Sequence, residues 1–269
     1  MPIVIAQFVN PPTYNVVGAS YDNKSYDYNP PNTNSFDLFF KPDGTKLYLI
    51  DGNNGSAKVT QHTLSTAWDI SSASYDSVSL SLQALEPNAA GMFIKPDGTE
   101  LYITGQFNDV VRQFTMTAWD LSTATLTAGF YVGTQDSSMG CVYIRPDGTK
   151  MYTYGNSGDT LYQYTLSTPW LVSSATYNTS KAFPDTGALY GVNFRDDGLA
   201  MYSSTNSTDL ITQYTLSSAW NISTIVAAGT FNTNAPANGP AGIRWKADGT
   251  KFYTATPGND IAYQFSVTG

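Results

Sequence analysis

A short turn recurs five times along this chain at a spacing near fifty residues, and that recurrence constrains the fold more than any other feature. It reads Pro42-Asp43-Gly44-Thr45, Pro96-Asp97-Gly98-Thr99 and Pro146-Asp147-Gly148-Thr149, then decays to Asp196-Asp197-Gly198-Leu199 and Ala247-Asp248-Gly249-Thr250. A second mark follows each turn: Gln61, Gln113, Gln163, Gln213 and Gln264 open Gln-aromatic-Thr/Ser stretches, with His62 in the aromatic place once. In the second unit, β-prone runs lie from Ser74 to about Gln83, at Met92-Phe93-Ile94, at Leu101-Tyr102-Ile103-Thr104 and from Val110 to Met116, separated by Gly, Pro, Asn and Asp. No segment shows sustained helical periodicity. Four antiparallel strands per unit in five units predict an all-β fold, a five-bladed β-propeller.

The two chain ends predict how the ring closes. Ala19-Ser20-Tyr21-Asp22 matches Ala73-Ser74-Tyr75-Asp76 at the same offset that relates Gly44 to Gly98. The chain thus begins on an outer strand and ends, at Gln264-Phe265-Ser266-Val267, one strand short. Residues 15 to 28 are expected to complete the blade made by residues 241 to 266, which leaves no unit open. The alternative is an open five-unit solenoid with exposed end faces. The domain reading is an N-terminal arm over 1–14 and a propeller over 15–269.

Composition narrows the partners. Charged residues are 13% of the chain and aromatic residues 14%, with 19 tyrosines, so the surface rests on hydroxyls and amides. A net charge of −8 argues against binding nucleic acid or anionic membranes through clustered Lys and Arg. Cys141 and His62 each stand alone, so an internal disulfide, a Cys/His metal cluster and any cofactor are not expected. Cys141 lies in an apolar run and reads as a buried, inert thiol. No apolar run reaches the length of a membrane helix. The first residues lack a basic region and a small-residue cleavage site, which points either to a mature form or to a chain that leaves its cell without a signal peptide, for example inside an assembled virus particle.

The run Phe40-Lys41-Pro42-Asp43-Gly44-Thr45-Lys46-Leu47-Tyr48 resembles the inner hairpin of propeller repeats of the YVTN and TolB kinds. The fuller unit, from Pro146 to Tyr152 and then Tyr162-Gln163-Tyr164-Thr165-Leu166-Ser167-Thr168-Pro169-Trp170, is similar to a repeat of marine phage and bacterial surface proteins. The resemblance covers about residues 15 to 267. It implies the fold and brings no catalytic motif with it.

Strand order places the Pro-Asp-Gly turns and the Trp68, Trp119, Trp170 and Trp220 turns on one rim, and loops that differ between blades on the other. Individual loops on a rigid scaffold are where binding specificity usually resides. Candidate contact residues there are Gln106, Phe107, Asp136, Met139, Asp185, Leu189, Tyr190 and Asn238. Lys41, Lys95, Arg145, Arg195 and Lys246 precede the turns, one per blade, and could ring the channel mouth to hold an anion or simply pair with the turn aspartates. The four tryptophans could stack sugars, or cover the lower edge of each blade.

Most acids are locked to the repeat, and Asp37 is the one off-register acid on an innermost strand. With no carboxylate pair demanded by the sequence, no phosphate loop and no Ser/His/Asp set, the expectation is that the chain is not an enzyme. The reading is a surface-exposed virion or extracellular protein that presents a receptor- or glycan-binding face. The alternatives are a glycosidase using Asp37 and a purely structural decoration or extracellular protein. Ile3-Val4-Ile5-Ala6-Gln7-Phe8-Val9 suggests an apolar arm that either anchors the chain to other structural proteins of an assembly or packs on the outer strand of its own propeller. Further copies of the chain are the remaining expected partner.

Overall fold

The computed structural model of the protein describes residues 14–53, 55–183 and 189–267. The expected N-terminal arm, except Tyr14, lies outside the described residues, as does Asp185. The opening strand is β1 (Ala19–Asp27). The first blade holds β2 (Ser35–Phe40), β3 (Lys46–Asp51), β4 (Lys58–Leu64) and β5 (Ala73–Ser81). The second holds β6 (Ala89–Ile94), β7 (Glu100–Gly105), β8 (Val110–Thr115) and β9 (Thr125–Tyr131). The third holds β10 (Met139–Ile144), β11 (Lys150–Gly155), β12 (Thr160–Leu166) and β13 (Ala175–Ala182). The fourth holds β14 (Leu189–Phe194), β15 (Ala200–Thr205), β16 (Leu210–Leu216) and β17 (Ile225–Asn232). Only β18 (Ala241–Trp245), β19 (Lys251–Thr256) and β20 (Ile261–Val267) remain for the fifth, and β1 pairs with β20 to complete it.

The molecule is therefore the expected five-bladed propeller, closed where the sequence places the seam. Tyr21 pairs with Phe265, and the ladder runs from Ala19 opposite Val267 to Asp27 opposite Ile261.

The repeated residues build the blade edges and the joints between blades. Gly44, Gly98, Gly148, Gly198 and Gly249 have φ between +68° and +77°, the left-handed backbone that glycine takes without penalty. In four blades an indole then lies on that glycine: a Cβ at Gly148 would come within 2.5 Å of the Trp170 ring. The tryptophans are thus structural caps, as their strict repetition suggests.

Each blade also reaches its neighbour by two hydrogen bonds. Tyr48, Tyr102, Tyr152 and Tyr253 donate from their hydroxyls to the carbonyls of Trp119, Trp170, Trp220 and Trp68 of the next blade, at 2.7–2.9 Å. Beside them the Gln61, Gln113 and Gln264 carboxamides accept from the Leu121, Val172 and Ile70 amides at 3.0 Å. The fifth joint lacks a tryptophan, and Tyr14 replaces it: Tyr202 donates to the Tyr14 carbonyl at 2.7 Å, and Val16 donates to Gln213 at 3.2 Å. Tyr14 therefore belongs to the ring, which begins one residue earlier than the sequence suggests. Such bonds contribute about 1 kcal/mol each, and burial of the aromatic faces between blades supplies the larger share.

Candidate functional site

The innermost strands β2, β6, β10, β14 and β18 surround the axis, and their matching residues form layers. One layer is Phe39, Phe93, Tyr143, Asn193 and Arg244, which lie opposite Tyr48, Tyr102, Tyr152, Tyr202 and Tyr253 on the second strands. Phe39 meets Phe93 edge-to-face at 5.4 Å, and Phe93 meets Tyr143 at 5.1 Å. Three blades thus supply an aromatic half-circle, and the fourth and fifth supply an amide and a guanidinium.

Two residues further from the turn, the layer is Asp37, Gly91, Cys141, Gly191 and Gly242. The glycines let neighbouring inner strands close on one another, since a Cβ at Gly91 would come within 2.5 Å of the Cys141 backbone, and Arg244 reaches Asp37 in this layer. Its guanidinium lies 2.8 Å from Asp37, donates to the carbonyls of Met92 and Ile243, and sits 5.4 Å over the Phe39 ring. Asp37 accepts also from the Met92 and Leu38 amides. Complete burial pushes its carboxyl up to about 6, against the pull of Arg244. Burial likewise pushes the Cys141 thiol up to about 12, so it is inert at neutral pH. Asp37 is thus an ion-pair partner sealed inside the axis.

Above this plug, toward the turn rim, the axis opens into a cavity of about 420 Å³. Phe39, Phe93 and Tyr143 wall one side, with Pro42, Pro96 and Pro146 at the lip; Asn193, Asp196 and Arg244, together with Tyr14, Phe194, Trp245 and Ala247, form the other. Its size falls within the range of small-molecule sites. Asp196 replaces the lip proline, and the nearby walls, with the Asp197 charge, raise its carboxyl above the usual range. The Asn193 carboxamide and Asp196 carboxylate have no hydrogen-bond partner among the described residues. In the wall behind them, Arg244 Nε and Trp245 Nε1 are buried donors without an acceptor, a rare condition in a folded chain. The polar side chains of the cavity come from the two blades whose turn motif decays.

At the opposite rim the channel is shut. Phe36 and Tyr190, from the first and fourth blades, meet across the axis with ring centres 4.8 Å apart.

The residues expected to make contacts on that rim have divided roles. Phe107 is 63% exposed, Asn238 is exposed and Gln106 is half-buried. Tyr190 is half of the closing pair. Met139 and Leu189 are corrected: both are fully buried in the hydrophobic core and present no contact surface. Asp136 is corrected as well. It is buried and accepts from the Ser138, Ser157 and Gly158 amides, fixing two loops.

The five basic residues form no open anion ring, because each pairs with its own turn aspartate. The pairs are Lys41–Asp43 at 2.7 Å, Lys95–Asp97 at 3.1 Å, Arg145–Asp147 at 3.3 Å, Arg195–Asp197 at 2.8 Å and Lys246–Asp248 at 2.6 Å. Sequence reasoning missed Arg244, Asn193 and Trp245. The available signal was the loss of Pro and of the inner aromatic residue in the last two units.

No protein-family model matches the sequence, and no curated protein matches it. Solved structures of similar fold are numerous. One from Bacteroides fragilis, named provisionally a 6-phosphogluconolactonase, aligns with a TM-score of 0.54 at 13% identity, over 82% of this chain and 76% of that one. A Bacteroides uniformis protein with the same provisional name aligns with a TM-score of 0.50 at 13% identity, over 81% of this chain and 63% of that one. The β-propeller domain of Cps50 (Swd1) from Myceliophteria thermophila aligns at 0.51 with 10% identity, over 93% of this chain and 100% of that domain. The chain spans 62–63% of the length of several such structures.

At these identities the likeness shows the propeller fold alone. The expectation that the chain is not an enzyme is corrected to this extent: two proteins of this fold carry a provisional enzyme's name, so the fold gives that expectation no support. The physical reason is that inner-strand side chains distant in sequence, such as Asp37 and Arg244, meet at the axis. The absence of a contiguous catalytic motif therefore excludes nothing.

Proposed function

We propose that the axial cavity binds a sugar ring or a sugar-derived small molecule. The observation that carries this reading is that the cavity's polar side chains, Asn193 and Asp196 with Arg244 behind them, all come from the last two blades and face the aromatic wall of the first three. A pyranose or lactone ring has the matching shape: C–H faces that pack on aromatic rings, and oxygens that both donate and accept. Asn193 offers a donor and an acceptor, and Asp196 an acceptor. The neighbours' names bring 6-phosphogluconolactone into the set of compounds worth testing. The amide- and hydroxyl-rich surface supports the further reading that the ligand is displayed on a glycan or host receptor, with the protein on a virion or extracellular surface.

The test is a titration with monosaccharides, aldonic acids and lactones that follows the intrinsic tryptophan fluorescence, since Trp68 and Trp245 both line the cavity, with lactone opening followed in parallel by NMR. The expected result is saturable binding that weakens at least about tenfold in Asn193→Ala. Affinity unchanged by Asn193→Ala, or no response from any compound, would overturn the assignment.

A further inference from the structure

A second cavity, of about 260 Å³, lies on the opposite rim between the first and second blades. Carboxamides surround it: Asn34 and Asn53 from one blade, Asn88 and Gln106 from the other, with the Phe36 ring at one side. No charged side chain lines it, in a chain of net charge −8. The nearby Glu86 is already committed, accepting from the Phe107 and Asn108 amides.

The amides are presented on fixed backbone. Gly52 donates to the Asn34 carbonyl at 3.2 Å, and Gln106 donates to the Asn88 carbonyl at 3.0 Å. Gly52 also lets the blades close: a Cβ there would come within 2.2 Å of the Ala89 carbonyl oxygen. The side chains of Asn34, Asn88 and Gln106 have no hydrogen-bond partner among the described residues. At the position equivalent to Gln106, Asn206 of the fourth blade donates to the Gly239 carbonyl at 2.7 Å, and Asn156 of the third has no partner among the described residues but has both its amide atoms buried.

We propose that this cleft is a binding subsite for an uncharged glycan, separate from the axial cavity and facing the other way. A carboxamide offers one donor group and one acceptor, which suits vicinal sugar hydroxyls. Three unspent carboxamides around an aromatic edge form such a site, and the lack of charge sets the class of ligand. Because no ionic contact is involved, affinity does not change with salt. A chain with this cleft on one rim and the axial cavity on the other can hold two saccharides on opposite faces.

The experiment is NMR on the whole ¹⁵N-labelled chain, following side-chain NH₂ signals during titration with cellotriose, maltotriose and chitotriose, and with sialyllactose as the anionic comparison. Expected are shifts of the Asn34, Asn88 and Gln106 signals with a neutral trisaccharide and the same affinity at high salt. Affinity should fall about tenfold in Asn88→Ala and in Gln106→Ala, and should be retained in Asn193→Ala, which separates this site from the axial one. The backbone spectrum of each variant reports that it is folded. The proposal is overturned if these signals stay still with every neutral trisaccharide. It is likewise overturned if binding survives both cleft substitutions, or if sialyllactose binds more tightly and its binding weakens with salt.

Discussion

The first three blades and the last two share one backbone plan but differ at the axis. In the first three, the inner strand ends in an aromatic residue, a large apolar residue and Lys/Arg-Pro, and its side chains pack against each other. In the fourth and fifth, Asn193, Asp196, Arg244 and Ala247 occupy the matching places. The joints between blades barely change. The difference teaches that the repeat specifies the wheel, while its departures supply the polar groups that make one sector of the axis different from the rest.

Breaking the largest departure should cost the most. Arg244→Met leaves Asp37 buried without its cation, and a loss of about 3–5 kcal/mol in urea unfolding at neutral pH is expected. If the repeat alone held the axis, the loss would be under about 1 kcal/mol.

The same pair predicts a pH dependence. The folded Asp37 carboxyl keeps its proton up to about pH 6, whereas an unfolded one releases it near 3.8. The folded state therefore holds the extra proton in that window. This group's contribution is present at low pH and is lost as pH rises through about 6. The check is the slope of stability between these values, which should flatten in Asp37→Asn; equal slopes would contradict the assignment.

The regular blades give a smaller effect. Gly148→Ala should cost about 2 kcal/mol, from left-handed strain and displacement of the Trp170 indole. Gly258→Ala, where a Cβ meets nothing within 4 Å, should change stability by less than about 0.5 kcal/mol. The seam comparison is smaller than the Gly148 effect. Tyr48→Phe at an ordinary joint and Tyr202→Phe at the Tyr14 joint should each lose about 1 kcal/mol. A negligible loss for Tyr202→Phe alone would mean that Tyr14 does not replace the tryptophan.

These comparisons also explain what was legible in the sequence. Blade number, strand order and the pairing of β1 with β20 follow from local signals, because Asp-Gly turns and Gln-aromatic stretches fix register within each unit. The cavity was not legible in the same way. Its walls come from one residue per blade, and which way each points depends on the ring being closed. Asp136 shows the limit: an off-register acid on an individual loop looks like a contact residue, yet the loop amides consume it. Met139 and Leu189 open inner strands, and ring closure buries them. Arg244 was hidden because a lone basic residue in a strand carries no motif; it acquires meaning when Asp37 from the other end of the chain arrives beside it.

The most direct measurement makes the fourth blade regular again. Asn193→Tyr combined with Asp196→Pro restores the residues that the third blade carries at these places, Tyr143 and Pro146. Sugar titration of this variant against the wild-type chain tests whether the departures form the site. The account predicts a folded propeller of similar stability whose affinity for the sugar is reduced at least about tenfold. A folded variant that binds as tightly as the wild type would contradict it.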